Sequence, residues 1–152
     1  MHRSKAEIYL HFVWGTWRRE PMVTPEIERA IYRCIEMECG RLRCAVLAVG
    51  GMPDHVHLVL RVPTTVSAAQ VMKQVKGVSS TFGRGHCGER RSFGWQDNYA
   101  VRSFWPEARD RVVAYVLNQK DHHTKGDLWS DWEELLDETV GPAMGRLQTP
   151  GV

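Results

Sequence analysis

The sequence predicts an α+β fold: a mostly antiparallel sheet of the split βαβ, ferredoxin-like kind, with packed helices and a C-terminal helix that bears a tyrosine. Three observations lead there. Apolar residues alternate over 6–17 and again over 55–62, the period of strands. Over 25–40, 67–82 and 106–123 they recur at three- and four-residue spacing, the period of amphipathic helices. The resulting order, β-α-β-β-α-β-α, suits one antiparallel sheet with helices laid against it.

In the first strand Ile8, Leu10, Phe12 and Trp14 share one face, and Tyr9, His11 and Val13 the other. Thr24-Pro25 marks a helix start, a capping hydroxyl followed by proline at the first helical position. Ile27, Ala30, Ile31, Cys34 and Ile35 then follow helical spacing, and Gly40 is expected to close the helix. Residues 43–50 read as a short strand and 50–54 as turn residues. Residues 55–62 return as the second arm of a hairpin, ended by Pro63. A second helix is expected from Ser67 to about Phe82, with Val71, Val75, Val78 and Phe82 inward. A Gly/Arg-rich loop over 83–91 and one or two short strands within 92–104 follow. A third helix runs from Pro106 to His123, then a short tryptophan-bearing helix near 130–138. The folded domain is placed at 5–140 and a loose tail at 141–152.

The chain has 152 residues, 43% hydrophobic and 25% charged, ordinary for a globular protein with one core. No run approaches the 18 apolar residues of a membrane span, and no apolar leader precedes the first strand. A cytoplasmic, membrane-free location is therefore expected. Cys34, Cys39, Cys44 and Cys87 form no C-x-x-C pair, which argues against a zinc ribbon and for reduced thiols. A net charge of +2 neither demands nor excludes nucleic acid, because clustering on one face is what matters.

The most informative stretch is His55-Val56-His57-Leu58-Val59-Leu60-Arg61-Val62. Alternation puts His55 and His57 on one face and Val56, Leu58, Leu60 and Val62 on the core face. At a rise of about 3.3 Å per residue the two Cα atoms stand roughly 6–7 Å apart, so two ring nitrogens can reach one cation. Asp54 is placed to orient one of the rings. The plainer alternative is a pair of half-exposed surface histidines. His11 has no evident partner in the sequence.

In the third helix Val112, Val113, Val116 and Leu117 make the apolar arc. Tyr115 falls outside it, in a stripe with Arg111, Gln119 and His122. A phenol that attacks a phosphodiester needs a cation to polarise the phosphate and lower its own pKa. Gln119, one turn on, can add an oxygen ligand to the cation of the two histidines, leaving positions open for phosphate and water. The alternative is a tyrosine at the rim of an amphipathic helix. Lys73, Lys76, Ser79 and Ser80 on the second helix, with Arg84 in the adjoining loop, suit phosphate contacts; a merely solvated face is the competing reading. Trp14 is expected in the core, and Trp95 either buried or stacked on a base.

Taken together these stretches resemble a known family. Gly51-Met52-Pro53-Asp54-His55-Val56-His57-Leu58 is similar to the HUH motif of single-tyrosine transposases from minimal bacterial insertion sequences. Tyr115-Val116-Leu117-Asn118-Gln119, followed by His122-His123, resembles their tyrosine helix. Lys76-Gly77-Val78-Ser79-Ser80, Phe93-Gly94-Trp95-Gln96-Asp97-Asn98-Tyr99 and the opening His11-Phe12-Val13-Trp14 match further stretches in the family's order. The resemblance implies His55, His57 and Gln119 as ligands of Mg²⁺ or Mn²⁺ and Tyr115 as nucleophile. It implies cleavage of single-stranded DNA to a 5′-phosphotyrosine link and a free 3′-hydroxyl, rejoined without a nucleotide cofactor. It further implies a homodimer that recognises hairpins at the element's ends, with a tyrosine helix able to complete the partner's site and a segment near Gly126 involved in its movement. Two other readings remain open: a REP-associated, domesticated relative that binds hairpins, and a zinc hydrolase with no role for Tyr115. The chain departs from the family at Trp17-Arg18-Arg19, where many relatives carry a lysine after threonine, in the loop 83–91 and in the tail from Val140.

Overall fold

The computed structural model describes residues 4–86 and 93–126. The expected helix at 130–138, the tail and Cys87 lie outside the described residues. Four strands, β1 (Ile8–Gly15), β2 (Ala45–Met52), β3 (His55–Val62) and β4 (Ala100–Phe104), form one sheet in the order β2-β3-β1-β4. Every neighbouring pair is antiparallel. Helices α1 (Pro25–Arg41) and α2 (Ala68–His86) make the two crossovers, and α3 (Arg109–Leu117) and α4 (Gln119–Lys125) follow β4. Each crossover joins parallel strands with a third strand between them: β3 lies between β1 and β2, and β1 between β3 and β4. This is the split βαβ arrangement expected from the element order.

Register explains why the sheet has two different faces. Ile8 pairs with Val62, Leu10 with Leu60, Phe12 with Leu58 and Trp14 with Val56, so apolar residues of both central strands point together. They bury against Ile31, Ile35 and Cys39 of α1 and Val71, Met72 and Val75 of α2. A smaller cluster on the opposite face joins Ala48 and Val59 to Val112, Tyr115 and Val116 of α3. The histidine face of β3 is therefore covered by α3.

Local chemistry moved several boundaries. α1 runs through Gly40 to Arg41 and closes on Arg43, whose φ of 60° is left-handed. The Cys44 N–H donates to the Cys39 carbonyl at 3.0 Å and the Arg43 N–H to that of Gly40 at 3.0 Å, the paired bonds of a left-handed helix stop. Ser67 caps α2 reciprocally with Gln70: the Gln70 N–H donates to Ser67 Oγ at 3.1 Å and the Ser67 N–H to Gln70 Oε1 at 2.7 Å. α2 continues past Phe82 into the expected loop because Gly83 is buried under Phe93. A Cβ there would lie 2.5 Å from the Phe93 ring. Val78, expected inward, is exposed. Gly50, Gly51 and Met52 belong to β2, leaving Pro53 and Asp54 as the turn. The third helix is broken at Asn118, whose φ and ψ of −103° and 24° separate α3 from α4, and Gly126, φ 69°, ends α4. Cys34, Cys39 and Cys44 are free thiols, and burial pushes Cys39 up to about 12.

Candidate active site

β3 presents His55 and His57 side by side, ring centroids 5.1 Å apart. His55 begins the strand just after the turn, so its Nδ1 meets Asp54 Oδ1 at 2.7 Å. The other carboxylate oxygen, Oδ2, accepts from Arg19 Nε at 3.0 Å and Nη2 at 2.8 Å. Arg18 and Arg19 form a short 3-10 turn after β1, with positive φ of 55° and 57°. Such strained non-glycine backbone persists only where neighbours hold it, and here it aims the guanidinium at Asp54. Burial alone would raise the Asp54 pKa, but the hydrogen bond with His55 and the Arg19 pair outweigh it and take it down to about 2. An ionised carboxylate only accepts, so His55 carries its proton on Nδ1. Its Nε2 is buried and has no hydrogen-bond partner among the described residues.

His57 lies one turn of the pleat further in and is fully buried. Its Nδ1 is 2.9 Å from Nε2 of His11 on β1, with the rings stacked at 5.2 Å. Burial, then the nearby His11, His55 and His123, push the His57 pKa well below its usual value, against a hydrogen bond to Gln119 that favours the protonated ring. Burial, with Arg102 beside it, takes His11 down to about 3.

α3 brings Tyr115 over this pair. Its ring meets His57 edge-on at 6.1 Å and stacks on His122 of α4 at 4.9 Å. Tyr115 is only 1% exposed, while Leu117, expected in the apolar arc, is 61% exposed. The face of α3 turned to the sheet is thus Val112, Tyr115 and Val116. The expectation that Tyr115 stands apart from the inward arc of the helix is corrected: it is part of the buried face, because the surface beneath the helix is itself part polar. Close approach depends on Gly50 of β2, where any Cβ would run into the Val116 carbonyl. Gln119 is buried at the start of α4, its Oε1 3.1 Å from Nε2 of His123, whose ring lies 5.2 Å from His55.

His55, His57, Tyr115, Gln119 and Asp54 are therefore gathered in one place. The five residues expected at DNA sit on α2, across the sheet from the histidines. Lys73 is exposed and Ser80 half-buried, and with Lys76 they line an open groove beside Trp95, Gln96, Asp97 and Tyr99. Arg84 is exposed and bonds Thr81. Ser79 is buried, donating to the Val75 carbonyl and accepting from Trp95 Nε1 at 2.8 Å, which places Ser79 and Trp95 in the core rather than at the surface. Lys76 donates to three successive carbonyls, of Gln96 at 2.6 Å, Asp97 at 3.2 Å and Asn98 at 3.1 Å. Burial lowers its pKa to about 8. It fastens the 96–98 segment to α2.

Sequence reasoning missed Arg19 and His11. Arg19 was visible only as the end of the Trp17-Arg18-Arg19 stretch that departs from the family. The signal for His11 was its place on the non-core face of β1, which becomes the histidine face only once β1 is paired with β3.

Among the described residues no three His, Cys, Asp or Glu side chains form a metal-binding group. The expected donor set instead combines two imidazoles with the carboxamide of Gln119. The buried, unbonded Nε2 of His55 fits such a role, because leaving a polar atom buried without a partner is costly. Among the described residues, no helix is long and apolar enough to cross a membrane.

The sequence pattern of IS200-like transposases matches residues 4–119, a span that includes His55, His57, Tyr115 and Gln119. A candidate transposase from Deinococcus radiodurans R1 has a similar structure, with TM-score 0.62 and 20% identity, over 78% of this chain and 98% of that one. A REP-associated tyrosine transposase bound to a REP hairpin gives TM-score 0.58 and 14% identity, over 84% and 74%. At these identities the two likenesses speak to the fold. Curated proteins gave no match. The family pattern over most of the chain, on the split βαβ sheet just described, places this chain in the IS200-like transposase family.

Proposed function

We propose that the protein cuts and rejoins single-stranded DNA with Tyr115 as nucleophile, at hairpin-marked ends of an insertion sequence. The observation that carries this reading is the juxtaposition of Tyr115 with His57, two residues 58 positions apart, over a strand whose paired histidines are individually oriented. The Tyr115 oxygen attacks phosphorus and the bond to the 3′ oxygen breaks. The products are a 5′-phosphotyrosine ester and a 3′-hydroxyl, with the phenolic proton ending on the leaving oxygen. The ester keeps the energy of the broken bond, so the reverse attack on a new strand needs no nucleotide cofactor.

His55 through Nε2, His57 and Gln119 would hold the divalent cation, Mg²⁺ or Mn²⁺. When bound, such an ion supplies positive charge to the phosphate and the departing oxygen. Two imidazoles with one amide oxygen suit Mn²⁺ better than Mg²⁺. The protein's own part is orientation. Asp54, held by Arg19, sets the His55 ring; α3 sets Tyr115; Gln119 follows one turn later on α4. Because Tyr115 is buried, a strand gains access only after a neighbouring group moves.

His55, His57, Tyr115 and Gln119 of one chain lie together, which supports a site completed within a single subunit. The groove beside Lys73, Lys76 and Ser80, away from the histidines, is a surface for the hairpin stem rather than for the cut phosphate.

The test is a 5′- or 3′-labelled oligonucleotide carrying a hairpin from DNA flanking the gene, incubated with Mn²⁺. The reading expects strand cleavage with a protein–DNA adduct, lost in Tyr115→Phe and with EDTA. Cleavage that leaves two free DNA ends and survives Tyr115→Phe would instead favour a hydrolase. Binding without cleavage under any metal would favour a hairpin-binding relative.

A further inference from the structure

His11 is a buried polar side chain that the proposed reaction does not use. It lies in the middle of β1, paired with Val59 on one side and Arg102 on the other. Its diagonal neighbour across the β1–β3 ladder is His57, which pairs with Val13. Diagonal neighbours on one face lie within reach of long side chains, and here they meet: Nε2 of His11 stands 2.9 Å from Nδ1 of His57, the rings stacked with an interplanar angle of 23°. Both residues are buried.

A hydrogen bond between two imidazole nitrogens needs one N–H and one lone pair, and a neutral ring offers one of each. If His11 donates, the His57 proton sits on Nε2 and that nitrogen cannot bind a cation. If His57 donates from Nδ1, its Nε2 carries the lone pair and His11 keeps its own proton on Nδ1. On the neighbouring ring the same choice is already made. Asp54 accepts at Nδ1 of His55, and Nε2 is the nitrogen left open.

We propose that His11 is a positioning residue that accepts the Nδ1 hydrogen of His57 and thereby presents Nε2 of His57, as a lone pair, to the divalent cation. His11 does for His57 what Asp54 does for His55, but with a neutral acceptor in place of a carboxylate. Partners of this kind orient a ligating histidine and fix its tautomer, and their loss weakens metal binding by about 10- to 100-fold. The inference rests on the reading of His55 and His57 as cation ligands given above.

The test uses the full-length, metal-free protein and two readouts. Long-range ¹H–¹⁵N correlation spectra of the histidine rings report the tautomer directly, and Mn²⁺ titration followed by electron paramagnetic resonance reports affinity. Expected are an Nδ1–H tautomer for His57, Mn²⁺ affinity about 10- to 100-fold weaker in His11→Phe, and near-normal affinity in His11→Gln, whose amide oxygen can still accept. A His57 proton on Nε2 in the unaltered protein overturns the inference, and that observation does not depend on any variant folding. So does equal Mn²⁺ affinity in the protein and His11→Phe; if His57→Ala still loses the ion, the metal site itself survives that result. Mn²⁺ binding unchanged by His57→Ala would sink the metal reading and the inference together.

Discussion

His57 of β3 and Tyr115 of α3 meet edge to face, ring centroids 6.1 Å apart and planes at 82°, within a single chain. Nothing local in the sequence joins them. They meet because one face of the sheet belongs to α1 and α2, which leaves the other for α3, and because β2 offers α3 a glycine to rest on. The consequences can be tested one at a time.

The first concerns Gly50. A methyl there would collide with the Val116 carbonyl, so Gly50→Ala must push α3 away from the sheet. Overpacking of this kind costs about 1–3 kcal/mol, and it also displaces Tyr115. A lower urea midpoint together with loss of most cleavage is expected. Gly40→Ala is the control, because nothing lies within 4 Å of its added carbon inside α1. It should stabilise by up to about 1 kcal/mol and leave cleavage alone.

Lys76 and Lys73 should part company. The Lys76 ammonium holds three backbone carbonyls together. Lys76→Met leaves them without their donor, and a loss of about 1–3 kcal/mol in stability is expected by denaturant titration. Lys73 is exposed, so Lys73→Met should stay within about 0.5 kcal/mol and, if the groove holds DNA, reduce the salt dependence of binding by about one ion. Equal stability of the two variants would contradict the role given to Lys76.

The Arg19–Asp54–His55 chain should behave as a unit. Arg19→Met and Asp54→Asn each free His55 from its set orientation, so each is expected to cut Mn²⁺ affinity by about 10- to 100-fold. The double variant should be little worse than either single one, as expected for residues acting through one contact. Fully additive losses would mean that Arg19 acts elsewhere, for instance directly on phosphate.

Acid stability follows from the two buried neutral rings. His11 is taken to about 3 and His57 well below 6.5, while in the unfolded chain both titrate near 6.5. Below pH 6.5 the unfolded state therefore binds more protons, and stability falls as pH falls. Both rings act in the same direction, so stability should fall steadily from pH 6.5 to 4.5 in EDTA. Asp54, lowered to about 2, adds a further loss only below about pH 4, as it too becomes protonated on unfolding. His11→Phe should make the fall shallower. A flat profile from pH 6.5 to 4.5 would contradict the burial of these rings.

Much of this architecture was legible before folding. The alternation of 55–62 put His55 and His57 on one face and the aliphatic residues on the other, and the β1–β3 register bears that out. The spacing of Tyr115 and Gln119 put them one turn apart, and they do share the buried face. What the sequence hid was tertiary. Tyr115 fell outside the expected inward arc because periodicity alone assumes an apolar surface beneath a helix, and here that surface includes histidine. His11 had no visible partner because its partner lies 46 positions away, across a strand pairing. Ser79 looked like a phosphate ligand, yet Trp95, brought back from beyond α2, claims its hydroxyl. The break at Asn118 left no mark in the sequence because the helical spacing of Tyr115, Gln119 and His122 continues across it.

The central claim is that Tyr115 itself becomes esterified to DNA, and the adduct's position in the chain measures it. Trypsin cuts after Arg111 and Lys120, so digestion of the protein–DNA complex, followed by nuclease trimming and mass spectrometry, isolates residues 112–120. The account predicts a nucleotide's mass on that peptide, localised to Tyr115. A nucleotide on any other peptide, or cut DNA with 112–120 unmodified, would contradict it.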